Sequence, residues 1–290
     1  MKVSVVITSY NYDKYIKDAI ESVLSQTYSD FELVIIDDCS ADNSVNIINQ
    51  FEDERIKFIQ NEQNLGLKSS MQKAISCCSG EWIAFLESDD LWLPNTLEKR
   101  LACAEKYSQV GIIFNDVLEF GDENWLLAVK NNFERVRKIL SKKTFPKNIF
   151  YDINVHNLIL TFSSVMIKRE LFENISFETP IDALLDWWLY IHIAYNTEAY
   201  YIKDKLTKWR QHKQSYIMRK NKKSKFKMAN IEAYLDVYKT NKLGVKFLPF
   251  LVFSIVQMLF SRAKFYNIVL IRKIKDILHI KKRQSPLFDD

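Results

Sequence analysis

The chain has 290 residues, 48% of them hydrophobic, with 41 Lys and Arg against 36 Asp and Glu. That apolar content can fill one sizeable core plus an appendage, and it excludes a generally disordered chain. Four cysteines (Cys39, Cys77, Cys78 and Cys103) show neither CxxC nor Cys/His metal spacing, so reduced thiols in the cytosol are the simplest reading.

The apolar stretch in residues 1–8 is too short for a signal peptide and lacks a small-residue cleavage site. Residues 3–8 therefore read as a buried strand, ended by Ser9-Tyr10-Asn11-Tyr12. Asp13 is placed to cap a helix through Tyr15, Ile16, Ala19, Ile20, Val23 and Leu24, which have helical apolar spacing. Residues 31–36 form a second apolar strand that runs into Asp37-Asp38-Cys39-Ser40. Asp42 or Ser44 opens a helix through Val45, Ile47, Ile48 and Phe51. A short third strand at 56–59, a turn at 61–66 and a helix through Met71, Ala74 and Ile75 follow. Residues 82–86 make a fourth buried strand, and Glu87, Asp89 and Asp90 come directly after it.

Strand and helix alternate, which predicts an α/β fold with a largely parallel sheet flanked by helices. Polar and acidic residues gather after strands one, two and four. In an open α/β sheet such strand ends converge on one edge and build a site. Clustered carboxylates repel unless a cation or hydrogen-bond donors offset them. Neither GxGxxG nor GxxxxGK[ST] occurs among only 5 glycines. A bound nucleotide's phosphates would then fall to a metal on carboxylates. The plainer alternative is a solvated acidic turn that caps a helix.

The segments Ser4-Val5-Val6-Ile7-Thr8-Ser9-Tyr10-Asn11, Asp37-Asp38-Cys39-Ser40-Ala41-Asp42 and Glu87-Ser88-Asp89-Asp90 together resemble family 2 glycosyltransferases of the GT-A fold. Residues 19–27, Asn64-Leu65-Gly66 and Gly80-Glu81-Trp82-Ile83 fit between them, so the likeness covers residues 1–100 almost continuously. Further on, residues 163–172 look like the strand and helix start before the family's catalytic segment. Asp186-Trp187-Trp188-Leu189 resembles its Glu-Asp-x-Asp-Leu segment, and Arg210-Gln211-His212-Lys213-Gln214-Ser215 its Arg-x-His-x-x-Ser motif.

The resemblance implies an inverting transferase with a nucleotide-sugar donor, a UDP-sugar, and Mn2+ or Mg2+. By the resemblance, Thr8, Tyr10 and Asn11 line the nucleoside pocket, and Asp38 accepts a hydrogen bond from the base. Asp89 lies near the ribose, and Asp90 ligates the metal together with Asp89 and His212. Lys68 and Arg210 contact the donor, and Asp186 is the general base. Glu87 receives no contact. The chain departs from the pattern at Leu185 and Trp188, which flank the base, at Met71-Gln72, where Arg-Asn is frequent, and at Cys39, where Gly is common. Asp182 competes with Asp186 for the base role. Residues 114–157 are expected to hold acceptor-side loops.

From Tyr201 onward 22 Lys and Arg stand against 6 Asp and Glu, leaving 19 against 30 before it. The body is acidic and the tail basic. The expected catalytic domain spans residues 1–215, with a nucleotide-sugar half at 1–100 and an acceptor half at 101–215. A basic, amphipathic helical region follows at 216–290. Within it a basic run at 219–227 precedes a mostly apolar stretch at 247–260, which is shorter than the roughly 20 residues of a spanning helix. This pattern suits peripheral attachment to an anionic membrane, on the inner face of the cytoplasmic membrane where a lipid-linked glycan acceptor would be found. Helices packed on the body, or pairing two copies of the chain, are the alternative. A nucleic-acid-binding protein is disfavoured by the acidic body and the lack of a binding motif. A nucleotidyltransferase is disfavoured by the missing glycine-rich loop.

Overall fold

The computed structural model describes residues 1–173, 175–177, 185–213, 236 and 252. The chain divides into two compact units, Met1–Asn241 and Lys242–Asp290. All but one of the described residues, Val252, belong to the first. The basic run at 219–227, the apolar stretch at 247–260 and the alternative base Asp182 lie outside the described residues. Among the described residues no helix is long and apolar enough to cross a membrane.

An eight-stranded sheet is the framework, in the order β3-β2-β1-β4-β7-β6-β8-β5. Strands β1 (Val3–Ser9), β2 (Phe31–Asp37), β3 (Ile56–Gln60) and β4 (Trp82–Phe85) pair in parallel. They are linked by helices α1 (Ile16–Leu24), α2 (Ser44–Ile48) and α3 (Leu67–Ser76). Leu33, Val34, Ile35 and Ile36 of β2 have no exposed surface, the consequence of helices covering both faces. Each such side chain contributes about 1.5–3 kcal/mol relative to an exposed one.

The second half is mixed. β5 (Leu91–Trp92) and α4 (Thr96–Lys106) lead into the long β6 (Val110–Gly121). β7 (Val165–Lys168) runs antiparallel between β4 and β6, and β8 (Glu198–Gln211) pairs in parallel with β6 and antiparallel with β5. Helix α7 (Leu185–Ala194) is buried on almost all sides.

Two local expectations change. Asp13 does not cap α1; no side chain does, and the Asp13 N–H instead donates to Asp42 Oδ2 at 3.0 Å. The region 114–157 is not a set of loops. It contains the outer half of β6, helix α5 (Glu123–Leu140) and helix α6 (Phe150–Val155). Helix α5 starts on the Asp122 side chain, which accepts from the Asn124 N–H, and docks by burying Phe133, Val136 and Leu140. Arg137 fastens it to Asp116 (2.8 Å) and Glu119 (2.7 Å) of β6.

Gly80 sets the spacing at the start of β4. A Cβ there would lie 2.6 Å from the Ser4 nitrogen and 2.8 Å from the Lys2 oxygen, backbone atoms that cannot yield. Gly80→Ala should therefore lower folding stability by about 1–3 kcal/mol. Urea denaturation reads this directly, and an unchanged midpoint would show that the β1–β4 contact is looser than the geometry requires.

Candidate active site

β1, β2 and β4 are parallel, so their C-terminal ends leave the sheet on one edge. Two of the three connections begin with a left-handed residue, Asn11 at φ 58° and Cys39 at φ 64°. Asparagine tolerates that region; cysteine does not favour it, which is the physical reason glycine suits position 39. The first two loops are stitched together. The Asn11 N–H donates to Ser40 Oγ (2.9 Å), the Ala41 N–H donates to Asn11 Oδ1 (2.8 Å), and the Tyr12 N–H donates to Ser44 Oγ (3.1 Å).

Asp38 is buried and organises the turn before α3. Oδ1 accepts from the Asn61 amide and the Leu65 N–H, and Oδ2 accepts from the Gly66 N–H, each at 2.8 Å. Thr8 is half-buried at the end of β1, Tyr10 beside it is 40% exposed, and Lys68 stands in the first turn of α3. The expected nucleoside-binding residues thus line neighbouring loops of one edge.

The acids after β4 differ in their partners. Asp90 has no exposed surface. Its Oδ1 accepts the Arg210 N–H (2.8 Å) and its Oδ2 accepts the Ser163 hydroxyl (2.6 Å). Asp89 instead meets His212, with Oδ2 2.9 Å from Nε2. The two aspartates thus have different partners: both oxygens of Asp90 accept hydrogen bonds from the protein, and Asp89 stands beside the histidine. Arg210 Nε donates to the Asp89 carbonyl (2.8 Å), and its guanidinium lies between the rings of Tyr15 (4.7 Å) and Phe120 (4.4 Å). His212 packs on Tyr15 with ring centroids 4.9 Å apart. Glu87, which had no expected contact, accepts the Thr161 hydroxyl.

Asp186 lies in the first turn of α7, half-buried between two aromatic anchors. Trp187 Nε1 donates to the Ile153 carbonyl (2.8 Å) and Trp188 Nε1 to Asp236 (2.7 Å), so the helix start cannot rotate freely. Burial raises Asp186 above its ordinary carboxylate value, although the Trp187 N–H donates to it. Burial, then the charge of Asp89, pushes Glu87 up to about 8 against the Thr161 hydroxyl, with Asp186 adding to the rise. Burial raises Asp90 well above the usual range, with Asp89 and Glu87 adding to it.

The donor set suits a hard divalent cation at Asp89 and His212. Two ligands about 2.1 Å from one ion at right angles stand about 3 Å apart, close to the observed spacing. Among the described residues no group of three or more His, Cys, Asp or Glu surrounds such a position. Substrate oxygens and water would complete the shell, as hard cations with few protein ligands require. Thr161 carries no sequence signal of its own, and the contacts that Ser163 and Tyr15 make become visible only when the segment before β7, β8 and the start of α1 meet the acidic turn.

A family model described as Glycosyl transferase family 2 matches residues 4–176. The chain is 32% identical over 191 residues to the UDP-Glc:alpha-D-GlcNAc-diphosphoundecaprenol beta-1,3-glucosyltransferase WfgD of Escherichia coli, covering 66% of this chain and 69% of WfgD. It is 30% identical over 264 residues to an uncharacterized glycosyltransferase of Methanocaldococcus jannaschii, covering 89% and 88%. Among solved structures, S. aureus TarS 1-349 in complex with UDP-GlcNAc superposes with a TM-score of 0.63 at 19% identity. That alignment covers 83% of this chain, which spans 66% of the TarS fragment. The mannosyltransferase PcManGT of Pyrobaculum calidifontis, in complex with GDP-Man and Mn2+, has a TM-score of 0.59 at 15% identity, covering 97% and 81%. At these identities the two structures establish the shared GT-A fold.

Glu87, Asp90 and Asp186 hold their protons more tightly folded than unfolded. Their contribution to stability is present below the unfolded carboxylate value of about 4 and is lost as pH rises through the raised values. For Glu87 that loss extends to about 8. The urea midpoint of the ligand-free protein should fall from about pH 5 to about pH 9, less steeply in Glu87→Gln. Identical slopes in the two proteins would contradict the raised Glu87.

Proposed function

The chain belongs to glycosyl transferase family 2, and from that premise we propose that it moves a sugar from a UDP-sugar to a hydroxyl of a glycan or lipid-linked acceptor in surface-polysaccharide assembly, inverting the anomeric carbon. The observation that carries this reading is the meeting of Asp89 and His212 at the strand-end edge that also holds Asp38.

Thr8, Tyr10 and Asn11 bound the nucleoside side. A carboxylate has about four lone-pair sites. The protein occupies three on Asp38, which leaves one on Oδ2 for a base N–H such as that of uracil. A Mn2+ or Mg2+ ion on Asp89 and His212 would act as a Lewis acid toward the leaving diphosphate. Arg210, fixed between two rings, and Lys68 add positive charge to that side. The acceptor oxygen attacks the anomeric carbon as the bond to the diphosphate oxygen breaks, and Asp186 takes the hydroxyl proton. A raised carboxylate suits that task, because a base performs best when its pKa approaches the working pH. The donor and acceptor classes rest on the WfgD relative, whose name gives UDP-Glc and a diphosphoundecaprenol-linked sugar as its substrates.

Asp186→Asn should retain UDP binding with Mn2+ and lose transfer by about 10²–10⁴-fold. Asp89→Asn and His212→Ala should raise the Mn2+ concentration needed for binding. Full transfer in Asp186→Asn would move the base elsewhere.

We also propose that the basic stretch at 219–227 attaches the enzyme to an anionic membrane surface. In flotation with anionic vesicles the full chain should float, and a variant with these lysines and arginines changed to glutamate should remain behind. Equal partitioning of the two would refute this attachment.

A further inference from the structure

Arg100 of α4 is fully buried, yet among the described residues no carboxylate pairs with its guanidinium. Buried arginines are normally paired, because desolvating the charge is costly. Burial lowers its pKa to about 9, so it remains a cation at neutral pH. Its N–H groups reach four residues on three separate segments. Nε (3.0 Å) and Nη2 (2.7 Å) donate to Asn115 Oδ1 on β6, and Nη2 also donates to the Ser163 carbonyl (2.8 Å). Longer contacts of 3.4 Å run to the Val165 carbonyl on β7 and to Thr207 Oγ1 on β8. The guanidinium sits 4.8 Å from the centroid of the Trp92 ring. A lysine has no planar fork to span these acceptors together.

The Ser163 carbonyl is the centre of this arrangement. Besides Arg100 it accepts Trp92 Nε1 (2.7 Å) and Thr207 Oγ1 (3.0 Å). The Ser163 hydroxyl donates to Asp90 Oδ2 and accepts the Glu87 N–H (2.9 Å). Asp90 in turn holds the Arg210 N–H, and Arg210 Nε holds the Asp89 carbonyl. The path ends two residues beyond Arg210, at His212 against Asp89. Asp38 and its turn at 61–66 are tied by a different set of bonds.

We propose that Arg100 is a positioning residue which, through Ser163 and Asp90, fixes Asp89 relative to His212 and so sets how tightly the donor's diphosphate and its divalent ion are held. This rests on the donor reading given above. Arg100 touches neither ligand. Its effect falls on the diphosphate side and leaves the nucleoside side unchanged, a selectivity that a general packing role would not produce.

The test measures UDP with Mn2+ by calorimetry and uridine by ligand-observed NMR, on the full chain and on Arg100→Lys and Ser163→Ala. Both variants should bind UDP with Mn2+ about tenfold or more weakly and need more Mn2+ for half-saturation, with uridine affinity unchanged. Equal losses for UDP and uridine, or unchanged UDP binding, would overturn the proposal. If Arg100→Lys does not fold, Thr207→Val removes another donor to the same carbonyl while keeping the arginine, and the same comparison decides. A wild-type chain that binds uridine and UDP equally with and without Mn2+ would instead refute the donor reading itself.

Discussion

Asp90 is a carboxylate with no exposed surface, and its two oxygens take donors from two later segments of the chain, Ser163 before β7 and the Arg210 N–H on β8. A buried acid is tolerated only where hydrogen bonds replace its lost water. Here those bonds fix where the acidic turn ends and where the last strand passes it. Asp89 and His212 meet because the backbones that carry them are both fastened to Asp90. Charge density that would be unfavourable in an isolated turn becomes the means of closing the site.

The rest of the edge is built on a division of labour between neighbours. Asp38 holds the turn at 61–66 and Asp37 holds the Ser40 N–H (2.8 Å), so these loops are tied by their own hydrogen bonds. Arg210 is held by two aromatic rings, and Asp186 by a helix whose two tryptophans are each hydrogen-bonded. Positioned groups of this kind reduce the reorganisation that accompanies charge development in a displacement.

Residues 1–90 were legible because each element is local. A run such as Phe31 to Asp37 is apolar except for Glu32 and ends in acids, so its strand, burial and direction follow from the pattern. The same pattern places Asp38 and Asp89 on one edge. It does not reveal that the Asp13 N–H would donate to Asp42 while α1 starts without a side-chain cap, because that bond joins loops about thirty residues apart. Helix α5 was missed for another reason: its buried residues Phe133, Val136 and Leu140 are few and are interrupted by charge. Its docking depends on Arg137 reaching β6.

By itself the sequence determined the α/β alternation, the strand-end edge and the residue types gathered there, because apolar periodicity and strand-terminal acids are properties of short segments. Tertiary structure alone decided which acid meets which partner. Asp89 and Asp90 are adjacent and chemically identical, and nothing within the turn distinguishes them. The distinction comes from Ser163, Arg210 and His212, which lie more than seventy positions away and reach the turn only when β7 and β8 join the sheet. Desolvation of Asp186 and Glu87 was decided in the same way, since burial belongs to the packed molecule and not to the chain.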